Sequence, residues 1–100
     1  MPYTYEFKEE AKKDIVDSAA WYRNKSEGLD IRFIDSIEVT IKKILQNPDI
    51  GIKVYKDFRQ ISIKNFPFLL VYEVEAATII IYTVFHTSRN PKRIIKRLKK

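Results

Sequence analysis

The chain has no cysteine, a single histidine, two glycines and four prolines in its 100 residues. Without cysteine there are no disulfide staples and no thiolate zinc site. One histidine and carboxylates scattered over polar helical faces give no metal-ligand spacing, so no metal and no cofactor is expected. Gly28 and Gly51 stand too far apart for a glycine-rich phosphate loop. No Ser-His-Asp set can be assembled, because Ser88 lies beside His86 only in sequence. The opening residues Met1, Pro2, Tyr3, Thr4, Tyr5 and Glu6 lack an apolar leader core. No uncharged run approaches the roughly 18 residues of a membrane span. The reading is a soluble, cytoplasmic protein with no membrane contact.

What the chain does have is 45% hydrophobic and 32% charged residues, the balance of an ordered globular protein, at a length that suits one domain over residues 1–100. The formal charge is +6, and its distribution is uneven. Arg89, Lys92, Arg93, Lys96, Arg97, Lys99 and Lys100 carry the last twelve residues without one acid. Setting these seven apart from the nineteen basic residues leaves twelve against thirteen acidic ones in 1–88, a net of −1. The body is neutral and segment 89–100 holds the excess, suited to phosphate or an acidic protein surface, or simply to solvent.

Tyr3, Tyr5 and Phe7 alternate with Thr4, Glu6 and Lys8, which predicts a first strand. From about Glu9 the period lengthens: Ala11, Ile15, Ala19 and Tyr22 predict an amphipathic helix to about Lys25, and Gly28 suits a tight turn or cap. A second helix is expected from about Asp30 to Gln46, with Ile34, Ile37, Ile41, Ile44 and Leu45 on one stripe, stopped by Asn47 and Pro48. The short connection implies an antiparallel pair whose apolar faces need a sheet. Phe58–Ile63 reads as a strand, Asn65–Pro67 as a turn, and Phe68–Glu75 with Thr78–His86 as a hairpin at the sheet's centre. Asn90 and Pro91 resemble a cap and first helical turn for a short basic helix over Lys92–Lys100, with Ile94, Ile95 and Leu98 as its thin apolar face. Trp21, Tyr22, Phe66 and Phe68, at helical and strand spacing, are expected in the core rather than as base-stacking groups. The fold class is α+β: a helical hairpin on a twisted, mainly antiparallel sheet in the order β-α-α-β-β-β, with that short helix as a C-terminal addition and the opposite sheet face left free for another molecule.

These elements, with the phrase Ala11-Lys12-Lys13-Asp14-Ile15 followed by Trp21-Tyr22, Asn47-Pro48, Arg59 entering a strand, and Phe66-Pro67-Phe68-Leu69-Leu70-Val71-Tyr72-Glu73-Val74 leading to Val84-Phe85-His86-Thr87-Ser88-Arg89-Asn90-Pro91, resemble the RelE/ParE superfamily of type II toxins. The closing phrase is most similar to the ParE, or plasmid-stabilisation, branch. The resemblance implies a toxin neutralised by a cognate antitoxin in a heteromeric complex. It implies either inhibition of DNA gyrase, as in ParE members, or ribosome-dependent cleavage of mRNA, as in RelE members. A toxin-like fold kept only as a binding module is a third reading.

A metal-free nuclease needs a proton acceptor, a proton donor and cations for the growing phosphoryl charge. The RelE-like reading assigns these tasks to His86, Arg59 and Arg89. Arg59 shares strand parity with Ile61 and Ile63, which places it at the sheet's rim or on a bulge, and an ordinary surface ion pair is the competing expectation. His86 shares parity with Tyr82 and Val84; its ordinary pKa near 6.5 suits proton transfer, while a plain hydrogen-bonded role is the alternative. Lys53, Lys56, Arg59 and Lys64, joined by Arg89, Lys92 and Arg93, are expected to line one electropositive groove for the target or for phosphate. No tyrosine follows Tyr82, a departure from the RelE pattern that favours the gyrase reading.

Overall fold

The computed structural model describes residues 2–89 and 91–99. Its elements are β1 (Thr4–Phe7), α1 (Glu9–Lys25), α2 (Leu29–Gln46), β2 (Ile52–Tyr55), β3 (Phe58–Ser62), β4 (Phe68–Glu75), β5 (Thr78–His86) and α3 (Pro91–Leu98). The α+β class and the helical hairpin stand as read from sequence, and one strand, β2, is added ahead of the expected three. The proposed cap at Asn90 and the last residue of the basic segment, Lys100, lie outside the described residues.

The two helices form because apolar side chains recur on one stripe of each. Phe33, Ile37, Ile41 and Ile44 of α2 are buried together with Ala11 and Tyr22 of α1. Burial of each large side chain contributes roughly 1.5–3 kcal/mol. Glu9 and Glu10 occupy the first turn of α1, where the helix dipole favours them, and Arg23 and Lys25 the last. The reversal between the helices rests on Gly28, whose φ of +80° is a left-handed conformation that a side chain disfavours. Across it Arg23 Nε sits 3.2 Å from Asp30 Oδ2.

The sheet runs β1-β5-β4-β3-β2. β1 lies parallel to β5, and every other pairing is antiparallel. Phe68, Leu70, Tyr72, Ile79, Ile81 and Val84 face the helices. Val71 and Phe85, with Phe58, face the other way. A β-bulge divides β5: Ile81 pairs with Tyr72 and Thr83 with Val71, so Tyr82 is the unpaired extra residue. The shared parity expected for Tyr82, Val84 and His86 therefore fails. Tyr82 packs on the second face, its ring 4.8 Å from that of Phe58, while Val84 joins the helix-facing core.

The expectation of a free second face is also corrected. There α3 lays Ile94 and Leu98, four residues apart and both buried, against Phe58, Val71 and Phe85. An eight-residue helix this basic is held poorly by its own propensity. It gains a polar anchor through Arg97, whose Nε sits 2.6 Å from Glu10 Oε2 and whose Nη2 sits 3.3 Å from Asp14 Oδ2. The same Asp14 oxygen accepts from the Thr83 hydroxyl at 2.7 Å and the Val84 amide at 3.2 Å. The pairing of β1 with β5 ends at Ile81, so the Val84 N–H projects from an edge that β1 no longer covers. One carboxylate thus joins α1, β5 and α3.

The loop from α2 to β2 is organised from below by Tyr72, whose hydroxyl donates to Pro48 O at 2.7 Å and accepts from Gly51 N–H at 2.9 Å. Burial, more than any charge nearby, holds its phenol above the ordinary tyrosine pKa, in keeping with a structural hydrogen bond. A Cβ on Gly51 would meet the Tyr72 ring and hydroxyl at 2.8 Å and the backbone oxygen of Gln60 at 2.9 Å, so only glycine lets the chain come this close. Tyr72→Phe, which leaves a buried N–H and C=O unpaired, is expected to lower the unfolding free energy by about 1–3 kcal/mol in urea titration. Gly51→Ala is expected to cost about as much through overpacking. If either variant unfolds at the wild-type midpoint, the loop is not anchored in this way.

Candidate functional site

Arg59 sits on β3 opposite Tyr72 and, as parity requires, on the helix side at the rim. Its guanidinium is engaged by the loop just described: Nη1 donates to Asp49 O at 3.1 Å and Gly51 O at 2.7 Å, and Nη2 lies 3.4 Å from Asp49 Oδ1. Its contacts to protein backbone leave it little freedom to clamp a phosphate. The neighbouring cations are dispersed. Lys53, on the edge strand β2, lies 3.8 Å from Asp57. Lys56 occupies the following turn at φ +49°, its ammonium 5.4 Å from the centre of the Tyr55 ring. Lys64 is exposed in the turn before β4, and Lys92 and Arg93 are exposed on α3.

His86 pairs with Phe68 at the far end of β4, four residues along from Tyr72. That places it roughly 13 Å along the strands and about 10 Å across them from Arg59. The two residues do not converge on one phosphate. Arg89, by contrast, shares a cleft with His86. Of the seven residues expected to line a single electropositive groove, Arg59 and Arg89 serve different neighbourhoods, and the apolar second face under α3 lies between the β2–β3 cations and Arg89.

The imidazole is itself constrained. Ser88 N–H donates to His86 Nδ1 at 3.1 Å, and the Ser88 hydroxyl lies 2.8 Å from the same atom. With Nδ1 accepting, the neutral ring carries its proton on Nε2, leaving Nε2–H as the free donor. A general base needs an exposed lone pair, and here that lone pair is aimed at Ser88. Tyr82, the last tyrosine, offers no substitute: burial first, and then the adjacent Glu73 carboxylate, push its phenol above the usual tyrosine pKa. Its hydroxyl lies 3.4 Å from Glu73 Oε1. Among the described residues no cluster of three histidine or carboxylate side chains could hold a metal ion. No helix of the described residues is long and apolar enough to cross a membrane.

The cleft holding His86 and Arg89 opens between the second half of α1 and the end of β5, with a volume of about 480 Å³. Tyr22 and Phe68 are buried beside it and Phe66 is half-buried, as expected of core aromatics. Trp21 is not core: it is 57% exposed and forms part of the cleft wall. The helical period explains the difference, because Tyr22 lies on the stripe of Ile15 and Ala19 while its neighbour is turned about 100° away. A one-residue phase difference was legible, but the cavity that it opens onto was not.

The imidazole assignment is directly measurable. Long-range proton–nitrogen NMR above the histidine titration range is expected to show the Nε2–H tautomer for His86, and Ser88→Gly is expected to increase the share of the Nδ1–H form. A wild-type ring already mostly Nδ1–H would overturn the geometry.

The matching family model is described as the ParE toxin of the type II toxin-antitoxin system parDE, and it covers residues 5–91. No curated protein matches. Among solved structures, a chain of the chromosomal ParDE TA system of P. aeruginosa superposes with a TM-score of 0.71 at 16% identity, over 84% of this chain and 95% of that one. A mutant E. coli toxin RelE in the free state gives 0.65 at 18% identity, over 97% and 98%. The intact E. coli RelBE toxin-antitoxin complex gives 0.59 at 18% identity, over 87% and 99%. At these identities the structures speak for the fold, whereas the family match spans most of the chain, which belongs to the ParE toxin family of type II toxin-antitoxin systems.

Proposed function

We propose that this toxin acts as a ParE-like inhibitor that binds DNA gyrase without cutting nucleic acid, and that a cognate antitoxin silences it in a heteromeric complex. The observation that carries the reading is the failure of the nuclease candidates to assemble. Arg59 is committed to the carbonyls of Asp49 and Gly51, His86 presents a donor where a base needs a lone pair, and the two are separated by four residues along β4. The second sheet face is filled by Ile94 and Leu98 against Phe58, Val71 and Phe85, with Tyr55 and Tyr82 packed beside them. Under this reading Lys92 and Arg93, exposed on α3, and the outer helical hairpin supply the contact with the target.

The antitoxin is supported by the family match and by the P. aeruginosa and E. coli neighbours, whose descriptions are of toxin-antitoxin systems and complexes. The chain also carries Val16, Trp21, Ile31 and Ile52 more than half exposed, apolar surface that a wrapping partner would cover. The RelE-like alternative, a ribosome-dependent mRNA endoribonuclease, draws on the shared cleft of His86 and Arg89.

Purified toxin is expected to inhibit gyrase supercoiling at micromolar concentration and to leave message intact in translating ribosomes. His86→Ala should retain inhibition, whereas charge reversal at Lys92 and Arg93 should weaken it by roughly tenfold, because charged surfaces set encounter rates. Unimpaired supercoiling together with message cut in the decoding site, and cutting lost in His86→Ala, would replace this reading with the nuclease.

A further inference from the structure

The bulge at Tyr82 changes which β5 residues turn their backbone toward the β1 side. Before it, Ala77 O and Ile81 O accept from Thr4 N–H at 3.0 Å and Lys8 N–H at 2.9 Å, in line with the β1 pairing. After it, Thr87 N–H donates to Pro67 O at 2.9 Å, so by alternation Phe85 and Thr83 serve β4. The amides and carbonyls of Val84 and His86 therefore point the other way, into the space that β1 has left. Two of these four groups are taken. The Val84 N–H donates to Asp14, and the His86 carbonyl accepts from Arg89 N–H at 3.0 Å. Val84 C=O and His86 N–H have no partner among the described residues. Both residues line the cleft between α1 and β5, whose volume is about 480 Å³.

A free carbonyl at one residue and a free amide two residues later are the two halves of a parallel β-bridge. One residue of a strand running the same way as β5 donates its N–H to the first and accepts from the second with its own C=O. An antiparallel strand would need both groups of Val84 or both of His86, and each residue has one already engaged. We propose that the cleft binds a short extended segment of a partner protein, parallel to β5 and in line with β1, through one residue opposite Phe85. Alternation then sets the chemistry of three positions. The residue before the bridged one projects to the helix side and meets Asp17, which is exposed and without a partner among the described residues, whereas Asp14 is already matched by Arg97. The residue after it enters the hollow of Tyr22, Pro67 and Phe68. Trp21 is only the rim of that hollow, since the Lys25 ammonium already stands 4.9 Å from its ring centre. The bridged residue points with Phe85 to the other face, where Arg89, its side chain unpartnered among the described residues, also borders the hollow under α3. The fitting order is basic, acidic, apolar. A second copy of the chain is a poor occupant, because its own free groups lie at the bottom of the same cleft. The inference holds whether or not gyrase is the target, and an antitoxin complex formed elsewhere on the surface would survive its failure.

A hexapeptide blocked at both ends, with Lys-Glu-Leu at its centre, tests the site by amide NMR of the full chain. Saturable shifts are expected at Val84–Ser88 and along the second half of α1, with slowed hydrogen exchange at the His86 amide. Methylating the peptide's glutamate nitrogen removes the donor to Val84 C=O and is expected to weaken binding by about tenfold, the scale of one lost hydrogen bond. Exchanging the order to Glu-Lys-Leu, or substituting Asp17→Asn at an exposed position that leaves the core intact, should each weaken it about threefold, the scale of an exposed ion pair. No saturable shift at millimolar peptide, equal binding of the methylated peptide, or shifts confined to β2 and α3 would overturn the proposal. A dimer that engages the same amides in the absence of peptide would overturn it as well, by assigning the cleft to a second copy.

Discussion

The two central strands are apolar on both faces, and the rest of the architecture follows from that constraint. Leu70, Tyr72, Ile79 and Ile81 point one way and Val71 and Phe85 the other, all buried. A sheet with two greasy faces needs two covers. The helical hairpin supplies one, broad and rich in large side chains. The other is a single short helix touching the sheet through Ile94 and Leu98, and its charge would drive it into solvent without Glu10 and Asp14. The Asp14 carboxylate serves both covers at once, since it also caps the stretch of β5 that β1 leaves exposed.

The division of labour between the faces bears on function. In a metal-free nuclease the reactive groups must meet around one phosphate. Here the strongest candidate cation is built into a loop whose shape depends on it, with Tyr72 buttressing that loop from beneath and Gly51 making room. Removing Arg59 would disturb folding and any binding together, so loss of toxicity in such a variant would carry little information about chemistry. The histidine end is different. His86, Arg89 and Trp21 are exposed or half-exposed and outside the buried core, so they can be altered with the fold left standing.

Period and punctuation in the sequence were enough to reveal both helices and the hairpin β4–β5, because each buries a regular apolar row; the first strand showed through the alternation of Tyr3, Tyr5 and Phe7, although Tyr5 itself stays exposed. β2 escaped for a physical reason: Ile52, Lys53 and Val54 are exposed, so no core-facing alternation marks the strand, which is held at the edge by backbone pairing to β3. The bulge at Tyr82 was equally silent, since Ile79–Phe85 is a near-continuous apolar run, broken only by Thr83, that reads much the same with or without a shift of face. The individual site residues could be named from sequence, but not their grouping. Nothing in the order of residues indicates that Trp21 would stand across a cavity from Arg89, or that Ser88 would occupy the imidazole nitrogen of His86.

The arrangement of the second cover has a consequence for biosynthesis. α3 is translated after every strand it shields, so during synthesis β4 and β5 exist for a time with Phe58, Val71 and Phe85 bare on one side. A nascent chain in that condition is sticky toward its neighbours on a polysome. Any partner able to shelter that hydrophobic flank while elongation finishes would raise the yield of intact protein, apart from any effect on what the finished molecule does.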